Sequence, residues 1–325
     1  MRKNFITQEE PAIAELGFLF GHFKTNEDQM RIKRHTTRLF LFTIFLIFIF
    51  QHEIFAQEAD SSKVKQPGLF VGFTMGSAQS RIINKGMLSV SDQVNGKKTS
   101  WMGSLEVGYF FSNFFGLSSG ISFISCKGLT TLSSYQNNFN TTDSEQESYQ
   151  RQVSGINVTE LQNIGFLGIP ICLNIRVPFN KKFGMFLQTG LEVEVPLVKK
   201  YHSSGTFTYK GYYPAYNVLL ENLPAYGFPS NTGIVTDGQL QLKSLCLGAI
   251  AAAGFDFFIQ KKFQIALAAS YNRSLSNISA YTLPEKFQLS SDLNQVNSLM
   301  GGSNKTTAQS LGLSITLRYF LNKRW

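Results

Sequence analysis

The residues best suited to chemistry form one small group near the middle of the chain. His202 is the one histidine beyond residue 57, and it adjoins Ser203 and Ser204. A histidine base beside a hydroxyl suits hydrolysis or acyl transfer, so a lipid-modifying enzyme using His202 is one hypothesis. Residues 116–120 also match the G-x-S-x-G nucleophile pattern. That motif needs a sharp turn from strand into helix, whereas here it lies inside an alternating strand-like stretch, so we interpret the match as accidental.

Other catalytic and cofactor signatures are missing from the sequence. It contains no phosphate-binding loop, dinucleotide fingerprint or metal-ligand spacing. Cys126, Cys172 and Cys246 are widely spaced, cannot all pair, and sit in strand-like stretches. We therefore expect free, buried thiols, no metal and no cofactor. Apart from the His202 hypothesis, the chain is not expected to be an enzyme.

Six charged residues fall on the small-residue face of alternating stretches. Charged side chains on a lipid-facing surface cost about 2–4 kcal/mol each for Arg at the bilayer midplane, so these residues should point inward and pair. Such a lumen charge network would comprise Glu106, Arg176, Glu192, Glu194, Asp256 and Arg318. Its expected role is structural, and a proton or ion path is the alternative.

The elements that carry these residues have the periodicity of long β-strands. Residues 183–197, for example, alternate apolar side chains with glutamine, glycine and glutamate. Eight such stretches run about 10–16 residues, against about 5–6 for a globular strand and about 9–11 for a tilted membrane strand. Pro170 interrupts one stretch and lacks a ladder donor, which predicts a bulge there.

The connections between these stretches alternate in length. The short ones are 112–114, 179–182 and 259–262; the long ones are 79–99, 128–161, 199–240 and 276–306. Aromatic residues flank the short turns, as at a lipid–water boundary. The predicted aromatic girdle is Tyr109, Phe111, Phe115, Phe179, Phe183, Phe257, Phe263, Tyr319 and Phe320. The pattern predicts an all-β fold: an eight-stranded, antiparallel, up-and-down transmembrane β-barrel with a side-chain-filled lumen and four long external loops.

The charge balance bears on partners. The formal net charge is +9, but the cations are scattered and form no basic helix. We therefore expect no nucleic-acid partner and interpret the lysine pairs at the turns as contacts to anionic lipid head groups. The long loop 199–240 is rich in tyrosine and proline, which suits either partner binding or an aromatic rim.

The N-terminal part of the chain reads as a targeting segment. Residues 30–57 combine a basic start, a short apolar core and a small residue before a polar stretch, which predicts a signal peptide; an uncleaved anchor is the alternative. Residues 1–29 precede a second plausible initiator, Met30, and are interpreted as a non-native or disordered extension. Residues 58–66 then form a linker, and 67–325 the barrel domain.

Two adjacent stretches carry a family resemblance. Residues 165–176 (GFLGIPICLNIR) and 186–192 (FLQTGLE) resemble paired strands of the PorT-like outer-membrane β-barrel family, common in Bacteroidota. The resemblance covers roughly 67–321. It implies residence in the Gram-negative outer membrane, insertion by the barrel-assembly machinery and, for the eponymous members, a link to protein secretion. The usual C-terminal aromatic is displaced here, so Phe320 or Trp325 would have to serve.

Together these observations predict a monomeric outer-membrane barrel surrounded by lipid. Its function would reside in the external loops, as structural support or as a binding surface for a protein or a glycan. A lipid-modifying acyltransferase or deacylase that uses His202 remains the alternative.

Overall fold

Antiparallel β-strands make up most of the described chain. The structure, a computed structural model, describes residues 68–87, 90–259, 262–281, 287–290 and 292–321. The expected N-terminal extension, signal peptide and linker lie outside these residues, as does Trp325. Among the described residues, no helix is long and apolar enough to cross a bilayer.

The described residues form eleven strands and two short 3-10 turns. The turns are Pro224–Tyr226 and Leu299–Gly302. The strands are β1 (Gly68–Lys85), β2 (Val90–Ser91), β3 (Val94–Phe110), β4 (Phe115–Thr142), β5 (Ser148–Pro178), β6 (Phe183–Tyr213), β7 (Val218–Glu221), β8 (Thr232–Gln239), β9 (Cys246–Phe258), β10 (Phe263–Ser274) and β11 (Lys305–Phe320).

Eight of these strands close into a ring. Their order is β4-β3-β1-β11-β10-β9-β6-β5, and β5 pairs back to β4. Closure joins the first and last strands, since Phe70 lies opposite Phe320 and Lys85 opposite Lys305. Every pairing is antiparallel, so the predicted eight-stranded up-and-down barrel is confirmed. The ring leaves no open sheet edge within the membrane, where backbone groups find no water.

The barrel wall has an apolar exterior and a polar or small-residue interior. In β1, Phe73 and Met75 are 43% and 55% exposed, whereas the intervening Thr74 faces inward and hydrogen-bonds Thr316 on β11. The eight strands of the ring run from 12 to 31 residues, against a globular mean of about 5–6, and an outward face this apolar requires an apolar solvent. Acyl chains supply that solvent.

Three of the four predicted external loops are wrong in form, because strands occupy most of them. β4 pairs with β5 as far as Thr142 and Ser148, and β6 continues to Tyr213. Only 143–147 remains as a turn inside the predicted loop 128–161. The outward side chains become polar where the strands leave lipid, which made these segments look like loops. The strands nevertheless continue, because backbone hydrogen bonding between strands does not depend on whether the outward side chains are apolar or polar. We term the parts of β4, β5 and β6 beyond the lipid-facing band, with β7 and β8, the strand extension.

The bulge predicted at Pro170 is also misplaced. Pro170 lies opposite Glu192 in an uninterrupted part of the β5–β6 ladder, and the nearby register shift falls at Gly165/Phe166. On the other edge of β5, the β4–β5 pairing is interrupted for two residues on each strand, between Ser119/Ile171 and Ser122/Gly168, and resumes in the same register. The missing donor of proline is therefore accommodated by a local gap in one ladder, without an inserted residue.

The fourth predicted loop folds back into the external mouth of the barrel. Leu289, Val296, Leu299 and Met300 are fully buried within this segment, which we term the plug loop (276–304, over its described residues). At the opposite end, four inward phenylalanines pack together: Phe70, Phe110, Phe258 and Phe320. The interior is thus filled from both ends, as expected for a barrel of this size.

Candidate functional site

Two buried ion pairs cross the lumen just above the phenylalanine cluster. The Arg176 guanidinium donates to both carboxylate oxygens of Asp256, at 2.7–3.0 Å, and Arg318 Nε donates to Glu106 Oε1 at 2.7 Å. Both arginines stack on aromatic rings, with Arg176 5.0 Å from the centre of the Phe258 ring. The pairs leave no net charge at this level and fix the turn end of the barrel.

Glu192 and Glu194 also face the interior but do not pair with a cation. They are 1% and 6% exposed, and within the described chain each has one carboxylate oxygen without a hydrogen-bond partner. Their cross-strand neighbours are Pro170, Gly248, Gly168 and Cys246, so no basic residue stands opposite either one. The expectation that all six lumen charges pair is therefore wrong for these two.

The aromatic residues flanking the short turns mostly face outward. Phe263 and Tyr319 pack with ring centres 5.0 Å apart and planes tilted by 55°, and Lys262 lies over the Tyr319 ring. Phe320 is the exception: strand alternation places it inside, fully buried, so its assignment to the girdle is wrong. The other predicted members are exposed or half-buried: Tyr109, Phe111, Phe115, Phe179, Phe183, Phe257, Phe263 and Tyr319.

A second aromatic contact lies toward the external side of the barrel. Trp101 on β3 stacks on Phe123 of β4 with ring centres 4.8 Å apart, and Trp101 is 55% exposed. This pair is not among the predicted girdle residues. Two aromatic levels on the outer wall match the two interfaces of a bilayer.

Glu160 is a buried carboxylate that sequence reasoning missed. It accepts hydrogen bonds from Gln162 Nε2 (2.6 Å), Ser203 Oγ (2.7 Å), Ser298 Oγ (2.9 Å) and the backbone N–H of Leu299 (2.8 Å). It thereby joins β5 and β6 to the plug loop. Burial raises the pKa of Glu160 above its ordinary value, and these four donors oppose that shift.

His202 lies on the outer face of the strand extension. Its Nδ1 is 2.8 Å from Asp237 Oδ1, and both side chains are exposed. Ser203 points the opposite way, into the barrel, and donates to Glu160. Ser204 shares the face of His202 but hydrogen-bonds Thr159 at 2.8 Å. The structure therefore brings His202 and the Asp237 carboxylate together, but neither Ser203 nor Ser204 hydrogen-bonds His202.

The tips of the strand extension are clasped by tyrosines. Tyr213 Oη donates to Asp143 Oδ2 at 3.1 Å, and the Tyr213 ring stacks on Tyr149 with centres 5.0 Å apart. Tyr216 Oη donates to Glu147 at 2.5 Å. Hydrogen bonds from backbone N–H groups, first that of Glu147, lower the pKa of Asp143, and desolvation raises the pKa of Tyr213 to about 12. These contacts join the β4–β5 tip to the end of β6.

A closed antiparallel ring with an apolar outer band, aromatic levels and paired lumen charges defines an integral outer-membrane β-barrel protein. Residues 55–280 match the family model described as the outer membrane protein beta-barrel domain, so the chain belongs to that family. Its location is accordingly the outer membrane of a Gram-negative bacterium.

Solved structures with a similar architecture come from several bacteria. The outer membrane protein OprG from Pseudomonas aeruginosa is 12% identical, with 81% of this chain and 100% of that chain covered and a TM-score of 0.34. Neisserial surface protein A is 9% identical, covering 78% and 99%, with a TM-score of 0.33. The outer membrane protease OmpT from Escherichia coli is 6% identical, covering 80% and 99%, with a TM-score of 0.32. No curated protein sequence matches this chain.

Proposed function

We propose that this protein is a surface recognition protein: the barrel anchors it, and the strand extension with the plug loop presents a binding surface outside the cell. One observation carries the proposal. β6 continues from residue 198 to Tyr213 beyond its last lipid-facing leucine, Leu197, which is about 50 Å of strand at ~3.3 Å per residue. An anchor alone needs no such projection.

The extension has the composition of a binding surface on a rigid support. Tyr216 and Tyr226 are 60% and 74% exposed at or near its tip. Tyrosine combines a large contact area with a hydroxyl and loses little conformational entropy on binding. The clasp of Tyr213 on Asp143 limits motion of the tip before a partner arrives.

The filled lumen supports anchoring over transport. The four inward phenylalanines occupy the turn end, and the plug loop occupies the external mouth. We propose a monomer that is inserted by the assembly machinery after removal of the signal peptide. A part in protein secretion, which resemblance to the PorT-like family implies, is one form that partner binding would take.

Site-specific photocross-linking in living cells tests the proposal. A photoreactive residue at position 226, in the 3-10 turn between β7 and β8, should give discrete adducts with a protein or glycan. The matched control is position 313, where Leu313 is 73% exposed on the lipid-facing wall and should give lipid adducts only. Identical adduct patterns at the two positions, or none at 226 in a barrel that still migrates as folded, would refute a recognition role.

The His202–Asp237 hydrogen bond favours one second candidate, a lipid-modifying enzyme. A histidine oriented by a carboxylate is half of a general-base arrangement, and Lys199 and Lys200 precede it where the strand leaves lipid. His202→Ala should then change the mass spectrum of extracted lipid A, while Lys210→Ala, at an exposed ion pair elsewhere on the strand extension, should not. Identical lipid A in wild type and His202→Ala removes the candidate.

A further inference from the structure

A polar groove of about 740 Å³ opens beside the plug loop at the external mouth. One wall is the end of β8 and the segment after it, with Gln239 and Gln241; the other is the plug loop, with Tyr281, Gln288 and Gln295. Its volume lies within the range of small-ligand sites. The groove is distinct from the tyrosine clasp at the tips.

The frame of the groove is held by hydrogen bonds and close packing. Tyr201 Oη donates to the Val296 carbonyl at 3.2 Å, and the Asn297 side-chain amide donates to the Gln288 carbonyl at 2.8 Å. Gly238 lies against the Tyr201 ring, since a Cβ at that position would come within 2.5 Å of it. The walls are therefore positioned before a ligand binds.

Four glutamine side chains in this frame have their amides free. Gln239, Gln241, Gln288 and Gln295 line the groove, and none of these side chains hydrogen-bonds another group in the described part of the chain. Each amide offers two N–H donors and one carbonyl acceptor. A set of uncommitted donors and acceptors matches a ligand whose groups both donate and accept, as sugar hydroxyls do.

The charges of the groove-lining residues bear on which class of ligand can bind. No lysine or arginine is among the described groove-lining residues, so a phosphate or sulfate would be desolvated without a counter-charge. The one acidic residue, Asp237, already has Oδ1 engaged by His202. Anionic ligands are thus disfavoured, and no cluster of carboxylates is present among these residues to hold a cation.

Two aromatic rings complete the surface. Tyr281 and Phe287 are half-buried, and Gly301 leaves room for both, because a Cβ there would lie 2.9 Å from the Phe287 ring and 3.3 Å from the Tyr281 ring. Rings flanked by free amides suit a pyranose, which has apolar C–H faces and a polar rim. We propose that this groove binds a neutral oligosaccharide; the inference rests on the proposed recognition role and assigns it a ligand class and a place.

The test uses the purified full-length barrel in detergent and an array of neutral, sulfated and phosphorylated glycans. A neutral glycan should bind, and titration calorimetry with the strongest neutral binder gives its Kd. The double variant Gln239→Ala/Gln241→Ala should weaken that Kd at least tenfold. Gln136→Ala, an exposed glutamine of β4 outside the groove, is the matched control and should leave Kd unchanged.

The binding results either support or overturn the assignment of a neutral oligosaccharide to the groove. Preference for sulfated or phosphorylated glycans, absence of any neutral binder, or an unchanged Kd in the double variant would overturn it, provided that both variants show the heat-dependent gel shift of a folded barrel. If the groove fails while position 226 still cross-links to a partner, only the groove assignment is wrong. If neither glycan binding in the groove nor cross-linking at position 226 is seen, the proposed recognition role is wrong.

Discussion

Glu160→Gln should release the plug loop without unfolding the barrel. The carboxylate accepts four hydrogen bonds, two of which come from the plug loop, through Ser298 Oγ and the Leu299 N–H. An amide retains one acceptor oxygen and presents an NH₂ group in place of the other. That NH₂ group meets donors, so at least one interaction becomes a contact between two donors.

The size of the effect follows from which donors can adapt. The hydroxyls of Ser203 and Ser298 rotate and can accept a hydrogen bond from the new amide. The Leu299 N–H is fixed by the backbone and fully buried, so the amide oxygen has to face it at the Oε2 position; the NH₂ group then replaces Oε1, and the buried Gln162 Nε2 group loses its acceptor. An unsatisfied buried donor costs about 1–3 kcal/mol, which corresponds to a roughly 5- to 150-fold rise in the opening equilibrium of the plug loop.

Hydrogen exchange followed by mass spectrometry measures this directly. The peptide covering 296–303 should exchange faster in Glu160→Gln by that factor, while peptides from β11 keep their wild-type protection. Glu145→Gln, in the exposed turn at the β4–β5 tip, is the control and should change neither region. Unchanged exchange at 296–303 would refute the role of Glu160, and equal acceleration in β11 would show global rather than local opening.

The same group sets a pH dependence with a definite sign. Burial raises the pKa of Glu160 above 4.5 when the plug loop is closed, so the closed state binds a proton more tightly than the open state. The cost of burying the ionised form is fully present above the closed-state pKa. Closing should therefore become more favourable as pH falls through that pKa toward 4.5. Exchange at 296–303, corrected for intrinsic rates, should show this slope in wild type and lose it in Glu160→Gln.

Three further predictions concern other parts of the molecule. Arg176→Ala leaves Asp256 charged and buried, so urea unfolding in detergent should show a loss of about 3–5 kcal/mol, against at most about 1 kcal/mol for Lys210→Ala at an exposed ion pair; equal losses would contradict burial as the cause. The tip clasp should loosen as pH falls below 3.8 through the lowered pKa of Asp143, and as pH rises above 10 toward the Tyr213 pKa of about 12. Exchange of the 143–149 peptide, corrected for intrinsic rates, should be slowest between those limits, and a flat corrected profile would contradict the clasp. Planar-bilayer recordings should show no conductance steps, since both ends of the lumen are filled; stable openings would show that the plug loop leaves the mouth.

The sequence sufficed for the membrane-embedded part of the fold. Period-two alternation over stretches such as 183–197 is a local signal, and the short aromatic turns fixed the ends of the strands on one side. The same alternation placed the charges of Glu106, Arg176, Asp256 and Arg318 inside, where the structure pairs them. The girdle prediction is wrong for Phe320 because the alternation continues to the last residue of β11 and turns this ring inward.

The external half depended on contacts that no local pattern reveals. Polar outward residues made 128–161 resemble a loop, although its inward positions, such as Leu132 and Val158, are fully buried. Glu160 is recognisable as a site only once Leu299, far along the chain, is placed against it. The groove glutamines likewise come from two separate segments. Long-range packing, not local propensity, decides these features.

Pairing between the first and last strands has a consequence for biogenesis. Phe70 on β1 pairs with Phe320 on β11, so the barrel cannot close until β11, its last strand, has been synthesised. A chain that stops before β11 would have two unpaired strand edges, one on β1 and one on β10, and exposed strand edges promote aggregation. Only a chain that includes β11 can therefore pair both of these edges.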